Sequence, residues 1–293
     1  MSVVERLWWS AHGVDVVRWE LFQLAAIVAG GVAVARARDG KLVRAYAVGV
    51  VLAVLGAIAL GGGIEWAAFF ARGARGQMPE LEVAGLGAIG GLLAGYLAVA
   101  RFGYRRAKSA WAALDVLAPA IGAMVMIARL GCFFAGCDFG APTNVPWALR
   151  YPPLTPAFRA QVEAGLLRTT DLTTMPVHPT QLYESFAGLV ALALALAWPG
   201  TREDSCARTP GARFSVTLGV YLAARFAIDF LRGDLTHGAL GLTTTQWLVI
   251  AAGAALVSTW SSRSLRRAAA PRRRDDPPSS PGSRRSSPPT AAS

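Results

Sequence analysis

The chain has 293 residues, 54% of them hydrophobic and only 16% charged, with a mean hydropathy of +0.40 and a formal charge of +11. A soluble domain carries about 25% charged residues, so this composition excludes an ordinary soluble globule. Apolar runs of about 18 residues or more assign the basic excess to loops beside a membrane and not to nucleic acid, and three cysteines are too few for a disulfide framework.

Residues 1–18 are mixed polar and apolar, and the first apolar span covers about 19–35. Ala33-Val34-Ala35 resembles a signal-peptidase site, but Glu5, Asp15 and Glu20 spoil a basic leader and the basic cluster follows the run. That cluster is Arg36, Arg38, Lys41 and Arg44, and a second span follows at about 45–70, with Glu65 near its far end. A loop with Arg72, Arg75, Glu80 and Glu82 leads to a third span at about 83–100, closed by Arg101, Arg105, Arg106 and Lys108. The fourth span is 111–129, with Asp115 and Pro119 inside it. A proline-rich polar segment runs from about 132 to 177, and a fifth span from His178 to Trp198. After Arg202, Arg208 and Arg213 come a sixth span at 214–231 and a seventh at about 245–260. The tail is Arg, Pro and Ser, too poor in apolar residues to fold. The expectation is an all-α membrane protein of seven transmembrane helices: a membrane domain at 1–262, with its polar segment at 132–177, and a disordered basic tail at 263–293.

Seven spans put the two ends on opposite sides. Nineteen of the 29 Lys and Arg residues fall on the tail side and seven on the other. The positive-inside rule then predicts a cytoplasmic tail, an N-terminus outside, and the 132–177 segment outside.

The stretch Arg129-Leu130-Gly131-Cys132-Phe133-Phe134-Ala135-Gly136-Cys137-Asp138-Phe139-Gly140 closes the fourth span. Arg129 follows seventeen residues whose only charge is Asp115. A guanidinium there costs roughly 2.5–3.5 kcal/mol on insertion scales unless a partner or polar cavity receives it. Beside glycine-rich backbone its planar fork suits a phosphate, although a snorkelling arginine with glycines for tight packing fits the same residues. Asp115, Arg129, Glu184, Arg225 and Asp229 all lie inside spans, where ionisable groups usually face a bundle interior. Arg225 and Asp229 are four apart and share a helix face. Arg129, His178, Glu184, Arg225 and Arg232 converge on the outer ends of their spans. They suggest a polar cavity open to the outer leaflet, with more arginine than carboxylate and therefore room for an anionic lipid head group. A structural ion-pair network is the other reading. His178-Pro179-Thr180-Gln181-Leu182-Tyr183-Glu184 opens the fifth span, either as a well-made helix start or as a polar face with an imidazole that can carry protons.

Four motifs now resemble those of the prolipoprotein diacylglyceryl transferase family. Asp115-Val116-Leu117-Ala118-Pro119 is similar to its Asp-x-x-Ala-Pro helix, and Arg129 through Gly140 to its Gly-Arg-x-Gly-Asn-Phe signature. The His178–Glu184 run resembles its His-Pro-Ser-Gln-Leu-Tyr-Glu, and Arg225-Phe226-Ala227-Ile228-Asp229-Phe230-Leu231-Arg232 its Arg-Phe-x-x-Glu-Phe-x-Arg. The resemblance covers about 15–260 and implies seven transmembrane helices in the bacterial inner membrane. It implies transfer of the diacylglyceryl group of phosphatidylglycerol to the lipobox cysteine of a preprolipoprotein, with release of glycerol-1-phosphate and no cofactor or metal. The implied catalytic residues are Arg129, His178, Arg225 and Asp229. The implied phospholipid-binding set is Arg129, Gly131, Gly140, Gln181, Tyr183, Glu184, Arg225 and Arg232.

The chain departs from the family at several places. Cys132, Ala135 and Cys137 stand where it has asparagine, asparagine and glutamate. Glu20 aligns with its tyrosine, and Ile89 stands where its third helix has the favoured proton acceptor, a histidine. His178 is the candidate replacement. Cys132 and Cys137 fit a disulfide, thiols or small packing residues. The retained arginines also fit a catalytically impaired paralogue that binds or presents anionic phospholipid.

Overall fold

The structure, a computed structural model, describes residues 19–36, 40–57, 70, 110–153, 155–198, 210–235 and 238–269. These form α1 Trp19–Ala35, α2 Gly40–Ala57, α3 Ala110–Ala135, α4 Pro156–Glu163, α5 Thr180–Ala197, α6 Ala212–Asp229 and α7 Thr244–Ala269, with no β-strand among the described residues. The third span with Ile89, the loops at 72–82, 101–108 and 202–208, the side chain of Glu20 and the tail from 270 lie outside the described residues. The chain divides into two units, Met1–Gly253 and Ala254–Ser293. In the second, the guanidinium of Arg263 lies 5.3 Å over the Trp260 ring. The site described below lies in the first.

The all-helical expectation holds among the described residues, and α3 and α5 are each long and apolar enough to cross a membrane. Val28 on α1 and Phe186 and Leu189 on α5 are exposed, the kind of apolar face that hydrocarbon covers. Two boundaries differ from expectation. Helix α3 runs six residues past Arg129, because Gly136 closes it in the left-handed conformation (φ 76°) with its N–H on Cys132 O at 2.9 Å. Residues 132–135 therefore belong to the helix and not to the polar segment. Helix α7 continues to Ala269, beyond the expected end of the membrane domain.

Inside α3, Pro119 has no N–H for the carbonyl of Asp115, one turn earlier. Arg213, at the start of α6, donates to that carbonyl at 3.2 Å, and its Nε donates to Ala195 O at 2.7 Å. The Asp115 side chain, 3% exposed, accepts from the N–H groups of Gly211 (2.6 Å) and Phe214 (2.8 Å), which are unsatisfied donors at the start of α6. The Asp-x-x-Ala-Pro motif is thus a latch between α3 and α6.

Helices α3 and α5 meet backbone to backbone. A Cβ on Gly122 would stand 2.4 Å from Leu192 N, and one on Gly188 would stand 2.6 Å from Met126 N. Small residues at such a crossing let two helices approach where no hydrophobic effect drives them together. Val34 of α1 and Leu42 of α2 pack against Ala113, Leu117 and Ala120 of α3, and Tyr46 OH donates to Ile27 O at 2.8 Å. Helix α7 begins with a reciprocal cap: Gln246 N–H donates to Thr243 Oγ1 (3.1 Å) and Thr243 N–H donates to Gln246 Oε1 (2.9 Å).

The segment between α3 and α5 is ordered around its own core of Phe133, Phe139, Leu149, Tyr151, Ala157 and Val177. Leu149 and Val177 exchange both backbone hydrogen bonds at 2.9 Å, and Thr155 caps α4 by accepting from Phe158 N–H at 3.4 Å.

Candidate active site

The link between the helix ends is made first in backbone. Gly140 N–H donates to His178 O (3.0 Å), His178 N–H to Ala141 O (3.1 Å), Ala141 N–H to Leu231 O (2.7 Å) and Gly233 N–H to Phe139 O (3.0 Å). The turn after α3 is stitched on one side to the start of α5 and on the other to the end of α6. Gly140 sits in the seam: a Cβ there would be 2.4 Å from His178 O and 2.9 Å from Leu231 O, so only glycine fits.

This seam gathers the charged side chains. Glu184, on the first turns of α5, reaches Arg129 Nε of α3 with one oxygen and Arg225 Nη1 of α6 with the other, and its side chain is 2% exposed. Arg225 also pairs with Asp229 at 3.0 Å, and Thr243 Oγ1 donates to the second Asp229 oxygen at 3.2 Å. Arg129 Nη1 continues to Asp138 Oδ2, and Arg232 Nη2 meets Asp138 Oδ1 at 2.5 Å. Arg232 also holds Asp234, with Nε to Oδ1 at 2.8 Å. Tyr221, one turn before Arg225 on α6, is a hydrogen-bond partner of Arg129. Unpaired, any of these charges would be costly in a buried site, and here each has an ion-pair partner.

The node brings Arg129, Glu184, Arg225, Asp229 and Arg232 together. The expected surplus of arginine is absent. Three guanidinium groups face four carboxylates, because Asp138 and Asp234 come from turns that a count of in-span residues leaves out.

His178 contributes its backbone to the seam, while its ring turns to Tyr183, with Nδ1 3.3 Å from the phenol oxygen. Trp147 Nε1 donates to the same oxygen at 2.6 Å. Gln181 is a positioning residue, its Nε2 donating to Cys137 O at 2.6 Å and Tyr151 OH at 3.0 Å. Gly131 is buried within α3. Sequence reasoning missed Asp138, Asp234, Tyr221 and Trp147. Tyr221 was visible as the residue one helical turn before Arg225, but the other three lie in turns without a period to reveal them.

Cys132 and Cys137 are not joined by a disulfide. Cys137 Sγ donates to Cys132 O at 3.8 Å; this neighbour and burial push its thiol well above the usual range, so it stays protonated. The two sulfurs and an Asp138 oxygen lie within 4.8 Å of one another. Both Asp138 oxygens are already held by guanidinium groups, an environment that disfavours a cation. Burial works against the Asp138 charge, but Arg129 and Arg232 outweigh it and hold the carboxyl well below the usual carboxylate range.

The guanidinium groups of this part-buried node are the kind of donors that stabilise a phosphate leaving group. Comparison with known proteins bears on which anion. A protein of Aromatoleum aromaticum named phosphatidylglycerol–prolipoprotein diacylglyceryl transferase is 33% identical over 179 residues, covering 58% of this chain and 60% of the relative. Proteins of the same name from Pseudomonas putida (30% identical, covering 58% of this chain and 55% of the relative) and Rhizobium meliloti (29%, covering 70% and 69%) are similar. The match to the first two thus spans less than two thirds of their length. The prolipoprotein diacylglyceryl transferase family profile matches residues 8–260. With three of its four motifs meeting at one node and the fourth latching α3 to α6, the chain belongs to the prolipoprotein diacylglyceryl transferase family.

Proposed function

We propose that this protein transfers the diacylglyceryl group of phosphatidylglycerol to the lipobox cysteine thiol of preprolipoproteins and releases glycerol-1-phosphate. The observation that carries the reading is the Glu184 bridge, which fixes Arg129 of α3 and Arg225 of α6 in one node. In the reaction the acceptor sulfur forms a bond to the terminal glycerol carbon of the diacylglyceryl group. The bond from that carbon to the phosphate oxygen breaks, and the thiol proton goes to a base. Arg129 and Arg225, with Arg232 of the phospholipid-binding set beside Arg129, neutralise the departing phosphate. Asp229 holds Arg225 in place. His178 is the proposed proton acceptor, with Tyr183 and Trp147 orienting its ring. Gly131, Gly140 and Gln181 shape the phospholipid side of the site.

The proposed setting is a bacterial inner membrane crossed seven times, with the N-terminus and the 132–177 segment in the periplasm and the tail in the cytoplasm. The asymmetry of Lys and Arg supports it. Reporter fusions near Gln161 should then report periplasm and fusions at Pro281 cytoplasm.

A second reading, a paralogue that binds phosphatidylglycerol without turning it over, is favoured by Ile89 at the family's histidine. Purified protein with labelled phosphatidylglycerol and a lipobox peptide decides between them. The transferase reading expects thioether formation in step with glycerol-1-phosphate release, lost in Arg129→Ala. Phosphatidylglycerol binding with no release of glycerol-1-phosphate would establish the second reading.

A further inference from the structure

Four carboxylates serve the node, and they are not equivalent. Glu184 and Asp229 are sealed in, with side-chain exposures of 2% and 0%. Asp234 lies two residues from its partner Arg232 and makes a local pair. Asp138 alone bridges Arg129 and Arg232, one oxygen to each, and its side chain is 26% exposed. Two oxygens of one anion, each on a different guanidinium at the open end of the node, is also the arrangement a phosphate group would take.

The backbone that carries Asp138 is held by hydrogen bonds of its own, separate from the ion pairs of its side chain. Thr180 Oγ1 donates to Asp138 O at 2.6 Å, Gln181 Nε2 donates to Cys137 O at 2.6 Å, and Gly233 N–H holds Phe139 O at 3.0 Å. Asp138 adopts φ 54°, in the left-handed region where aspartate is tolerated but asparagine and glycine are at least as well suited. Rotation about the side-chain bonds alone can therefore carry the carboxylate away from the arginines.

We propose that Asp138 is an internal counter-anion, occupying in the resting protein the position that the phosphate group of the lipid takes during turnover. The inference rests on the transferase reading. Substrate enters by exchange: the carboxylate leaves Arg129 and Arg232, and the phosphodiester replaces it. That swap trades one negative charge for one and leaves the node's charge unaltered. The product, a phosphate monoester, carries between one and a half and two negative charges near pH 7, roughly. Asp138 then competes against an ion that overfills the node, and its return favours release of glycerol-1-phosphate. The residue sets the order of preference, diester over monoester.

The test uses full-length protein in phosphatidylcholine nanodiscs, as wild type, Asp138→Asn, Asp138→Gly and Arg129→Ala. Ligands are glycerol-1-phosphate, inorganic phosphate, and phosphatidylglycerol added to the bilayer. Two partly buried ion pairs are removed, so both Asp138 variants should bind glycerol-1-phosphate about three- to tenfold more tightly, with a smaller gain for phosphatidylglycerol. Product inhibition should strengthen by the same factor. Tightening confined to glycerol-1-phosphate and phosphatidylglycerol assigns a subsite for the lipid head group. Tightening for inorganic phosphate as well assigns a subsite for phosphate as such, and either result supports the exchange. Equal or weaker binding in both Asp138 variants, with melting temperature retained and Arg129→Ala unable to bind, overturns the inference and leaves the transferase reading standing. If wild type ignores all three ligands, the reading fails and takes the inference with it.

Discussion

Replacing Asp115 by alanine should unfasten α6 from α3. The carboxylate accepts from Gly211 N–H at 2.6 Å and Phe214 N–H at 2.8 Å, and it is 3% exposed. Hydrogen bonds to a charged group contribute about 1.5–3 kcal/mol each, and water cannot readily replace the lost acceptor at this depth. Attraction between the carboxylate and the helix N-terminus acts through the same atoms, so it is not added again. The expected loss is roughly 3–5 kcal/mol for Asp115→Ala. Asp115→Asn keeps one acceptor oxygen and should lose about half as much. At roughly 2–4 °C per kcal/mol, alanine should lower the melting temperature by about 6–20 °C. Tryptophan-fluorescence melting in detergent micelles measures this, with Asp171→Asn as a control outside the latch. An alanine variant within about 2 °C of wild type, or an asparagine variant as damaged as alanine, would refute the capping role.

Arg129→Lys should reduce glycerol-1-phosphate release by about 10²–10³, since a point charge cannot hold Glu184 and a phosphate oxygen in the same plane; wild-type rates would show that charge alone suffices. Gly188→Leu should prevent accumulation of folded protein, because a Cβ there lies 2.6 Å from the Met126 backbone. Gly219→Ala, where a Cβ meets nothing within 4 Å, should be neutral or slightly stabilising, and equal behaviour of the two variants would contradict the close crossing. If His178 is the proton acceptor, His178→Ala should lower turnover by about 10²–10⁴ while phosphatidylglycerol binding is retained, and unchanged turnover would move that role elsewhere. The Asp138 carboxyl is held below its ordinary range, so its contribution to stability is present above about pH 4 and is lost as pH falls further. Melting curves taken from pH 6 to pH 3 should therefore fall more steeply for wild type than for Asp138→Asn.

The convergence of Arg129, Glu184 and Arg225 was expected because all three lie toward the ends of their apolar runs that alternating spans put on one side. The apolar runs also placed α5 and α6 closely, whereas α3 runs past its expected end. The balance of charge was not legible. Asp138 and Asp234 sit in turns, where no repeat says which way a side chain points, and both turned out to face arginine. Asp115 was visible as an ionisable residue inside a span, but a carboxylate that caps another helix leaves no local mark. Nor did the sequence alone tie Pro119 to Arg213, since the carbonyl that proline leaves unpaired is answered from residue 213. The Thr243–Gln246 cap was written in the chain as Thr-x-x-Gln and could have been read.

The backbone stitching around Gly140 has a consequence for how the protein comes into being. Residues 139–141 bond to residue 178 on one side and to residues 231 and 233 on the other. A chain emerging from the ribosome can insert α3 and α5 long before residue 233 exists. Until then Arg129 and Glu184 can pair, but Arg225 and Arg232 have not arrived. The node therefore matures only when α6 and the turn after it dock. A chain that stops short of residue 233 holds only part of the node.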